Sequence, residues 1–383
     1  MRILYCALDQ TVPGTKGGSV HVASVAEGLA ALGHDVHVLT TRGDGPWPSD
    51  GVNWVEMPPP LGKPQLRWAR SGDVAALAKS LRPDVIMERY YNFGGEGILT
   101  AKSVGAIAVL EVNAPVIDHP GSRKALLDRV LLVKPMERRR QRIVAASDLI
   151  VSPSAAILPR GTPTKKVVEL EWGADTDRFH PGASGPLPFT PPKGTVAVFG
   201  GAFRNWHGAV QLARAIRMLH GRGRTDIGAV FIGDGPELPN VRAEASTLAN
   251  VVITGALPHD RMPSALAMAH IGVAPFDLAA HKPLSLGFYW SPLKIFEYMA
   301  SGLPVVAPAA DRIPSLVEGG VEGLLYQPAS PVEGLADALD RLRDPDLRQR
   351  LGAAARQRAL RDYSWAAHCE KLDRAIRERH TSR

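Results

Sequence analysis

Short apolar runs alternate with stretches of helical periodicity along this chain, and the alternation occurs twice. Arg2 to Leu8 reads as a buried strand and Pro13 to Ser19 as a loop; Val22, Val25, Leu29 and Leu32 then recur at helical spacing until Gly33. Asp35 to Thr40, Asp84 to Glu88, Ala106 to Val112 and Asp148 to Ser152 continue the strands of this first series. A second series opens at Thr195 to Gly200 and runs through residues 229–233, 251–254, 271–275 and 303–306. Such alternation demands parallel strands joined by right-handed crossovers, with helices on the sheet faces. Two series therefore predict two doubly wound α/β domains facing each other across a cleft, at 1–180 and 194–355. The proline- and glycine-rich run 181–193 reads as the linker, and a terminal helix within 356–383 is expected to return to the N-terminal domain. Ligands of such sheets sit beyond the carboxyl ends of the strands, where strand order reverses.

Bulk properties restrict the partners. A chain of 383 residues with 45% hydrophobic and 22% charged content is of a size for two globular domains. The net charge of +7 is divided almost evenly between the halves, so no basic tail points to nucleic acid. An anionic small ligand or a membrane surface fits that diffuse balance. Cys6 and Cys369 can form neither a disulfide framework nor a zinc site, and read as free thiols of a reducing compartment. The first nine residues make too short an apolar run for a signal peptide, and no run of 18 apolar residues exists, so a cytoplasmic protein is expected. The densest basic run, Lys134 to Arg142, follows Leu126, Val130 and their apolar neighbours. It reads either as an ordinary solvated helix face or as a peripheral contact of 123–142 with the inner face of a membrane.

The stretch Ser291 to Val306 carries the sharpest local signals. Ser291 suits an N-cap, Pro292 the first helical position, Gly302 a left-handed stop, and Pro304 blocks resumption. A helix of about three turns would then present free N–H groups and its positive dipole end, an anion site best suited to phosphate. Glu297, two turns in, could accept two ribose hydroxyls; an intrahelical ion pair with Lys294 is the plainer alternative.

Other loops add to this. Gly17-Gly18 follows the first strand, where a glycine pair lets backbone amides approach a phosphate or simply makes a tight turn. Neither a dinucleotide fingerprint nor a P-loop occurs, which argues against a plain oxidoreductase. In the matching loop of the second series, Gly200 to Gly208, Arg204 and His207 are candidates for a diphosphate, or else a solvated arginine and a capping histidine. Gly233-Asp-Gly-Pro-Glu237 turns toward the same crevice. The D-x-D pairs at Asp175/Asp177 and Asp344/Asp346 read as local turns, so no metal is expected.

Taken together these pieces resemble the retaining glycosyltransferases of family four, which have the GT-B fold. The resemblance rests on Gly17-Gly18, Gly33 to Val36, Gly173 to Asp175 with Arg178-Phe179 and Pro181, Gly233 to Glu237, Thr254-Gly255, and above all Lys294 to Gly302. It implies acceptor binding by the first domain and a nucleoside diphosphate sugar, with no other cofactor, in the second. The donor-binding residues it implies are Gly17, Gly18, Arg204, His207, Gly233, Gly255, Ser291, Pro292, Leu293, Lys294 and Glu297. Departures are visible: Tyr289 replaces the first glutamate of the family's E-x7-E motif, and His207 stands where a loop lysine is usual. Asn113 occupies the place of a family histidine, with Glu111 two residues earlier; Asn113, Glu111 and Arg204 are the catalytic candidates.

The expected activity is metal-independent transfer of a sugar to an acceptor hydroxyl with the anomeric configuration retained. The acceptor would be an envelope polysaccharide, a glycolipid or a small molecule. A nucleotide-sugar epimerase of the same fold, or an inactive nucleotide-sugar-binding protein, are the alternatives.

Overall fold

The computed structural model describes residues 1–382 except 15, 50, 118–125, 127–128 and 131–133. The chain divides into two compact units. One comprises Met1–Trp172, Tyr289–Ser291 and Trp365–Arg383; the other comprises Gly173–Phe288 and Pro292–Ser364.

The first unit contains β1 (Arg2–Val12), α1 (Gly17–Ala31), β2 (Asp35–Arg42), β3 (Asn53–Glu56), α2 (Ser71–Leu81) and β4 (Val85–Arg89). It continues with α3 (Glu96–Ala101), β5 (Ile107–Glu111), α4 (Pro135–Ala146), β6 (Leu149–Ser152) and β7 (Val167–Glu169). Its strands form a seven-stranded sheet in the order β3-β2-β1-β4-β5-β6-β7. Every pairing in it is parallel. Strands buried on both faces read as unbroken apolar runs, and Ile3 to Leu8 and Ile107 to Leu110 are almost fully enclosed. Val22, Val25 and Leu29 of α1 complete the core from one face.

The second unit holds β8 (Thr195–Gly200), α5 (Ala209–Gly221), β9 (Ile227–Ile232), α6 (Leu238–Ala245), β10 (Val251–Gly255), α7 (Met262–Ala267) and β11 (Ile271–Val273). It goes on with α8 (Leu293–Ala300), β12 (Val305–Pro308), α9 (Ile313–Leu316), β13 (Gly323–Tyr326), α10 (Pro331–Arg341) and α11 (Pro345–Asp362). Its six-stranded sheet runs β10-β9-β8-β11-β12-β13, and a cluster of Phe199, Phe203 and Phe231 sits at its centre. In both sheets the order reverses beside the first strand, at β1/β4 and at β8/β11, which places the two candidate crevices.

The boundaries differ from those expected, for reasons that lie far apart in sequence. The first unit yields to the second at residue 173, not 180, because Arg356 of α11 donates to the carbonyls of Thr176, Phe179 and Ala300. The run 181–193 is no free linker: Asn250 bonds both the N–H and the carbonyl of Lys193 at 3.1 Å. Helix α11 stays with the second unit, and only the last helix, α12 (Trp365–Thr381), packs against α1 of the first. Leu372 and Ile376 carry that contact.

Among the described residues no helix is long and apolar enough to cross a membrane. Much of the expected membrane-contact segment 123–142 (residues 123–125, 127–128 and 131–133) lies outside the described residues. In α4, Arg140 is buried and Arg139 donates to the Gly94 carbonyl at 2.6 Å, so the basic run is partly spent inside the fold.

Gly302 ends α8 at φ 72°, with the Gly302 and Leu303 amides returning to the carbonyls of Met299 and Tyr298. Gly352 of α11 packs on that turn, and a Cβ there would collide with the Gly302 carbonyl oxygen. Helix propensity alone favours Gly352→Ala by about 1 kcal/mol. The collision outweighs it, and a net loss of about 1–3 kcal/mol is expected. Urea unfolding of G352A should show a lower midpoint than wild type; an equal or higher one would contradict this packing.

Candidate active site

In the second unit the site is organised by α8. Its buried face consists of Ile295, Phe296, Tyr298, Met299 and Ala300, while Lys294 and Glu297, three residues apart, are half-buried on the other side. The helix begins one residue later than expected and is two turns long. Leu293 is its first residue, Pro292 takes the cap position, and no side chain caps it. Ser291 is thus corrected as an N-cap. It belongs to the first unit, where its hydroxyl donates to Glu171 at 2.7 Å and accepts the Trp172 N–H at 2.9 Å.

Lys294 Nζ lies 4.2 Å from the Phe199 ring centroid and 5.3 Å from that of Phe276. It has no hydrogen-bond partner among the described residues. The expected alternative, an ion pair between Lys294 and Glu297, is not formed among those residues. Burial pulls the lysine down to about 7, and the Glu297 charge opposes this only partly. Burial likewise pushes the Glu297 carboxyl up to about 7, against the charges of Lys294 and Arg178. Two ionisable groups are therefore desolvated on one helix face without neutralising each other.

The loop after β8 borders this pair. Gly201, at φ 131°, has the Lys294 ammonium 3.1 Å from where its Cβ would stand. Gly233 presses against the Gly201 carbonyl so closely that no Cβ fits, and its N–H donates to the Gly255 carbonyl at 2.8 Å. Gly201, Gly233, Gly255 and Lys294 thus converge. His207 Nδ1 donates to the Ala202 carbonyl, and burial, with the charge of Lys294, holds the ring down at about 3. It is a neutral group, not a second cation. Arg204 is exposed at the start of the turn 205–207.

The first unit gathers a different set. A Cβ on Gly18 of α1 would displace the end of the Gln10 side chain and lie 3.5 Å from Arg89 Nη2; Gly17 opens the helix. Glu111, at the end of β5, accepts from Tyr5 Oη, from Asn113 Nδ2 and from Arg89 Nη1 at 3.1 Å, and His21 Nε2 stands 3.2 Å away. Burial raises the Glu111 carboxyl, opposed by Arg89 and the bonds from Tyr5 and Asn113. Asn113 Oδ1 accepts the Trp172 indole N–H at 2.7 Å, so its amide is oriented from both ends. Glu111 is therefore placed to hold Asn113, and its oxygens are not open to a substrate proton. Arg204 belongs to the other unit.

Sequence reasoning passed over Tyr5, His21, Arg89 and Trp172. Arg89 closes β4 at the strand-order reversal, a position the sheet rule itself singles out. His21 lies one turn beyond the glycine pair, but nothing in the local pattern separates it from a core histidine. Among the described residues no three His, Cys, Asp or Glu side chains are arranged to hold a metal. The D-x-D aspartates cap local N–H groups: Asp175 those of Asp177 and Arg178, Asp344 those of Asp346 and Leu347.

The family model described as Glycosyltransferase Family 4 matches residues 15–160, and that described as Glycosyl transferases group 1 matches 194–344. The chain belongs to the family-four glycosyltransferases. Among relatives of this glycosyltransferase, a GDP-mannose-dependent alpha-mannosyltransferase of Corynebacterium glutamicum is 24% identical over 97% of this chain and 87% of its own. A D-inositol 3-phosphate glycosyltransferase of Acidothermus cellulolyticus is 28% identical over 92% and 83%. A solved sucrose-phosphate synthase from Thermosynechococcus elongatus superposes with a TM-score of 0.70 at 17% identity, covering 100% of both chains. A Rickettsia africae glycosyltransferase gives 0.69 at 18%, covering 99% of this chain and 98% of that one. These structures share the fold of two Rossmann-like units, GT-B.

The raised Glu297 carboxyl has a consequence for stability. The folded glycosyltransferase keeps that proton to about pH 7, whereas the unfolded chain releases it near its ordinary 4.5. The fold therefore loses stability as pH rises through that window. Glu297→Gln removes the loss: its melting temperature should exceed that of wild type at pH 8, with the gap narrowing toward pH 5. Equal melting temperatures at pH 8 would show that Glu297 is not desolvated.

Proposed function

We propose that this glycosyltransferase moves a sugar from a nucleoside diphosphate sugar to an acceptor hydroxyl with retention of configuration and without a metal. The observation that carries this reading is the half-buried Glu297 carboxylate, without an ion-pair partner among the described residues, beside Lys294 at the strand-order reversal of the second unit. A carboxylate so placed accepts the two ribose hydroxyls of a nucleotide. Its burial without a protein partner is then a cost offset by ligand. Gly201, Gly233 and Gly255 shape the loops around the donor, Leu293 and Lys294 offer free N–H groups, and Arg204 reaches in from the exposed turn. Gly17, Gly18, Pro292, Ser291 and His207 remain donor-binding candidates, Ser291 and His207 through shape more than charge.

In the transfer, the bond from the anomeric carbon to the diphosphate oxygen breaks as the acceptor oxygen bonds to the same face of the sugar. The acceptor hydroxyl proton passes to the departing diphosphate. Negative charge grows on that leaving group, and prearranged cations lower the barrier by meeting it there. Lys294 and Arg204 are the cations of this reading, which is why a divalent ion is not required. Asn113 orients the reacting sugar or acceptor, with Glu111 and Trp172 fixing its amide. Two of the relatives named for their donor use GDP-mannose, which puts a hexose nucleotide in the class to test first. The acceptor is an envelope polysaccharide, a glycolipid or a small molecule.

A thermal-shift panel of UDP, GDP, ADP and dTDP sugars identifies the donor. With it, Glu297→Ala should weaken binding by roughly 10–100-fold, the worth of hydrogen bonds to a charged acceptor; unchanged affinity removes the ribose role. Turnover should be the same with and without excess EDTA. Loss of activity that added magnesium restores would overturn the metal-free mechanism.

A further inference from the structure

Residues 170–173, which follow β7, lie outside any helix or strand, yet the peptide unit joining Glu171 to Trp172 is held at both of its polar groups. Its carbonyl accepts from His368 Nδ1 at 2.7 Å, and its N–H donates to Ser291 Oγ at 2.9 Å. Burial holds the His368 ring down at about 4, so it serves as a neutral donor with the proton on Nδ1. Ser291 gives its own hydroxyl proton to the Glu171 carboxylate at 2.7 Å. The three segments that meet here, 171–172, Ser291 and His368, all belong to the first unit. What they hold is Trp172. Its ring centroid lies 4.3 Å from that of His21 and 5.6 Å from the Arg89 guanidinium carbon, and its indole N–H reaches Asn113 Oδ1 at 2.7 Å. Asn113 Nδ2 donates in turn to Glu111. An indole N–H only donates and a carboxylate accepts, so these two partners allow the Asn113 amide one orientation.

We infer that Ser291 is a positioning residue of this glycosyltransferase: by fixing the Glu171–Trp172 peptide it sets the Trp172 indole, and through the indole the Asn113 amide. The inference rests on the reading that Asn113 orients the reacting groups, and extends it. The role differs from direct contact with the donor, since the single hydroxyl proton of Ser291 is already given to Glu171. Asn113 lies two residues beyond the end of β5, where the strand no longer constrains it. A side chain so placed keeps one geometry only if its partners are themselves locked by further contacts. Without the Ser291 hydroxyl the Trp172 N–H loses its acceptor, the peptide is free to turn, and indole and amide drift together. A displacement of about 1 Å at a reacting group is worth up to about 100-fold in rate. Ser291 is also the last residue before the chain enters the second unit at Pro292, so its effect on the rate must be separated from any effect on donor affinity.

The test compares Ser291→Ala, Ser291→Thr, which keeps the hydroxyl, Trp172→Phe, which removes the indole N–H, and the Ser291→Ala/Trp172→Phe double variant. The probe is whichever of UDP-glucose, GDP-mannose, ADP-glucose and dTDP-glucose shifts the wild-type melting temperature most. Turnover is followed as nucleoside diphosphate released with water as acceptor. S291A should lower kcat by roughly 10–100-fold, while its affinity for the nucleoside diphosphate changes less than about threefold by calorimetry. S291T should recover most of the rate. W172F should lose a similar factor, and the double variant no more than about threefold beyond the worse single one, because both act through Asn113. In tryptophan-labelled protein, the indole N–H resonance that is absent from W172F should exchange with solvent about 10-fold faster or more in S291A than in wild type. Losses that multiply in the double variant overturn the inference, as do unchanged indole exchange and a loss of nucleotide affinity with kcat kept. An unchanged kcat in S291A beside an impaired Asn113→Ala overturns it too. An unimpaired N113A instead removes the reading of Asn113 on which it rests, and release from none of the four sugars removes the proposed transfer itself.

Discussion

Holding an ammonium and a carboxylate half-buried on one helix face, three residues apart and without an ion pair among the described residues, is the constraint around which the second unit is arranged. Their mutual charge and the rings against Lys294 offset the desolvation only partly, so both must be held by apolar contacts elsewhere on the same helix. Ile295, Phe296, Tyr298 and Met299 supply them, and Phe296 stacks on Tyr363 of the segment that follows α11, with ring centroids 4.2 Å apart. The helix is locked at its end by the left-handed turn at Gly302 and by the close approach of Gly352. Tyr298 ties it to β8 through the Gly200 amide. The rigidity of α8 thus comes from one face and is used by the other.

The first unit solves a different problem. Its buried carboxylate and amide at the end of β5 are paired, with Glu111 receiving Tyr5, Arg89 and Asn113 and Asn113 in turn receiving Trp172, while His21 Nε2 and Glu96 Oε2 have no hydrogen-bond partner among the described residues. Deeper still, Arg67 is fully enclosed by Asp9, Glu88 and Glu96. A satisfied network in a low-dielectric interior fixes geometry, whereas an unsatisfied pair attracts ligand. Under the proposed function, Asn113 and its supports supply orientation, and Lys294 and Glu297 supply charge recognition.

Much of the fold was legible because buried parallel strands are written as continuous apolar runs. Ile3 to Leu8, Val85 to Met87 and Val196 to Phe199 need no tertiary information to be seen. The strands that escaped notice, β3, β7 and β13, are short and lie at sheet edges, and the first two are only half-covered. The interdomain boundary was misread because Arg356 and Asn250, remote in sequence, tie 173–193 to the second unit. The Ser291-Pro292 pair illustrates the same limit at the site. Its local signature is that of a helix cap, but Glu171, 120 positions earlier, takes the hydroxyl. Glu297 was visible from its place on the helix; its isolation from Lys294 was not, since side-chain direction depends on Phe199, Phe276 and Gly201.

A crystal structure with the nucleoside diphosphate that binds best tests most directly where the nucleotide sits. The terminal phosphate should lie within about 3 Å of Lys294 Nζ, with both ribose hydroxyls on the Glu297 carboxylate at hydrogen-bonding distance. A nucleotide bound in the first unit beside Gly18 and Arg89, with Lys294 and Glu297 untouched, would contradict it.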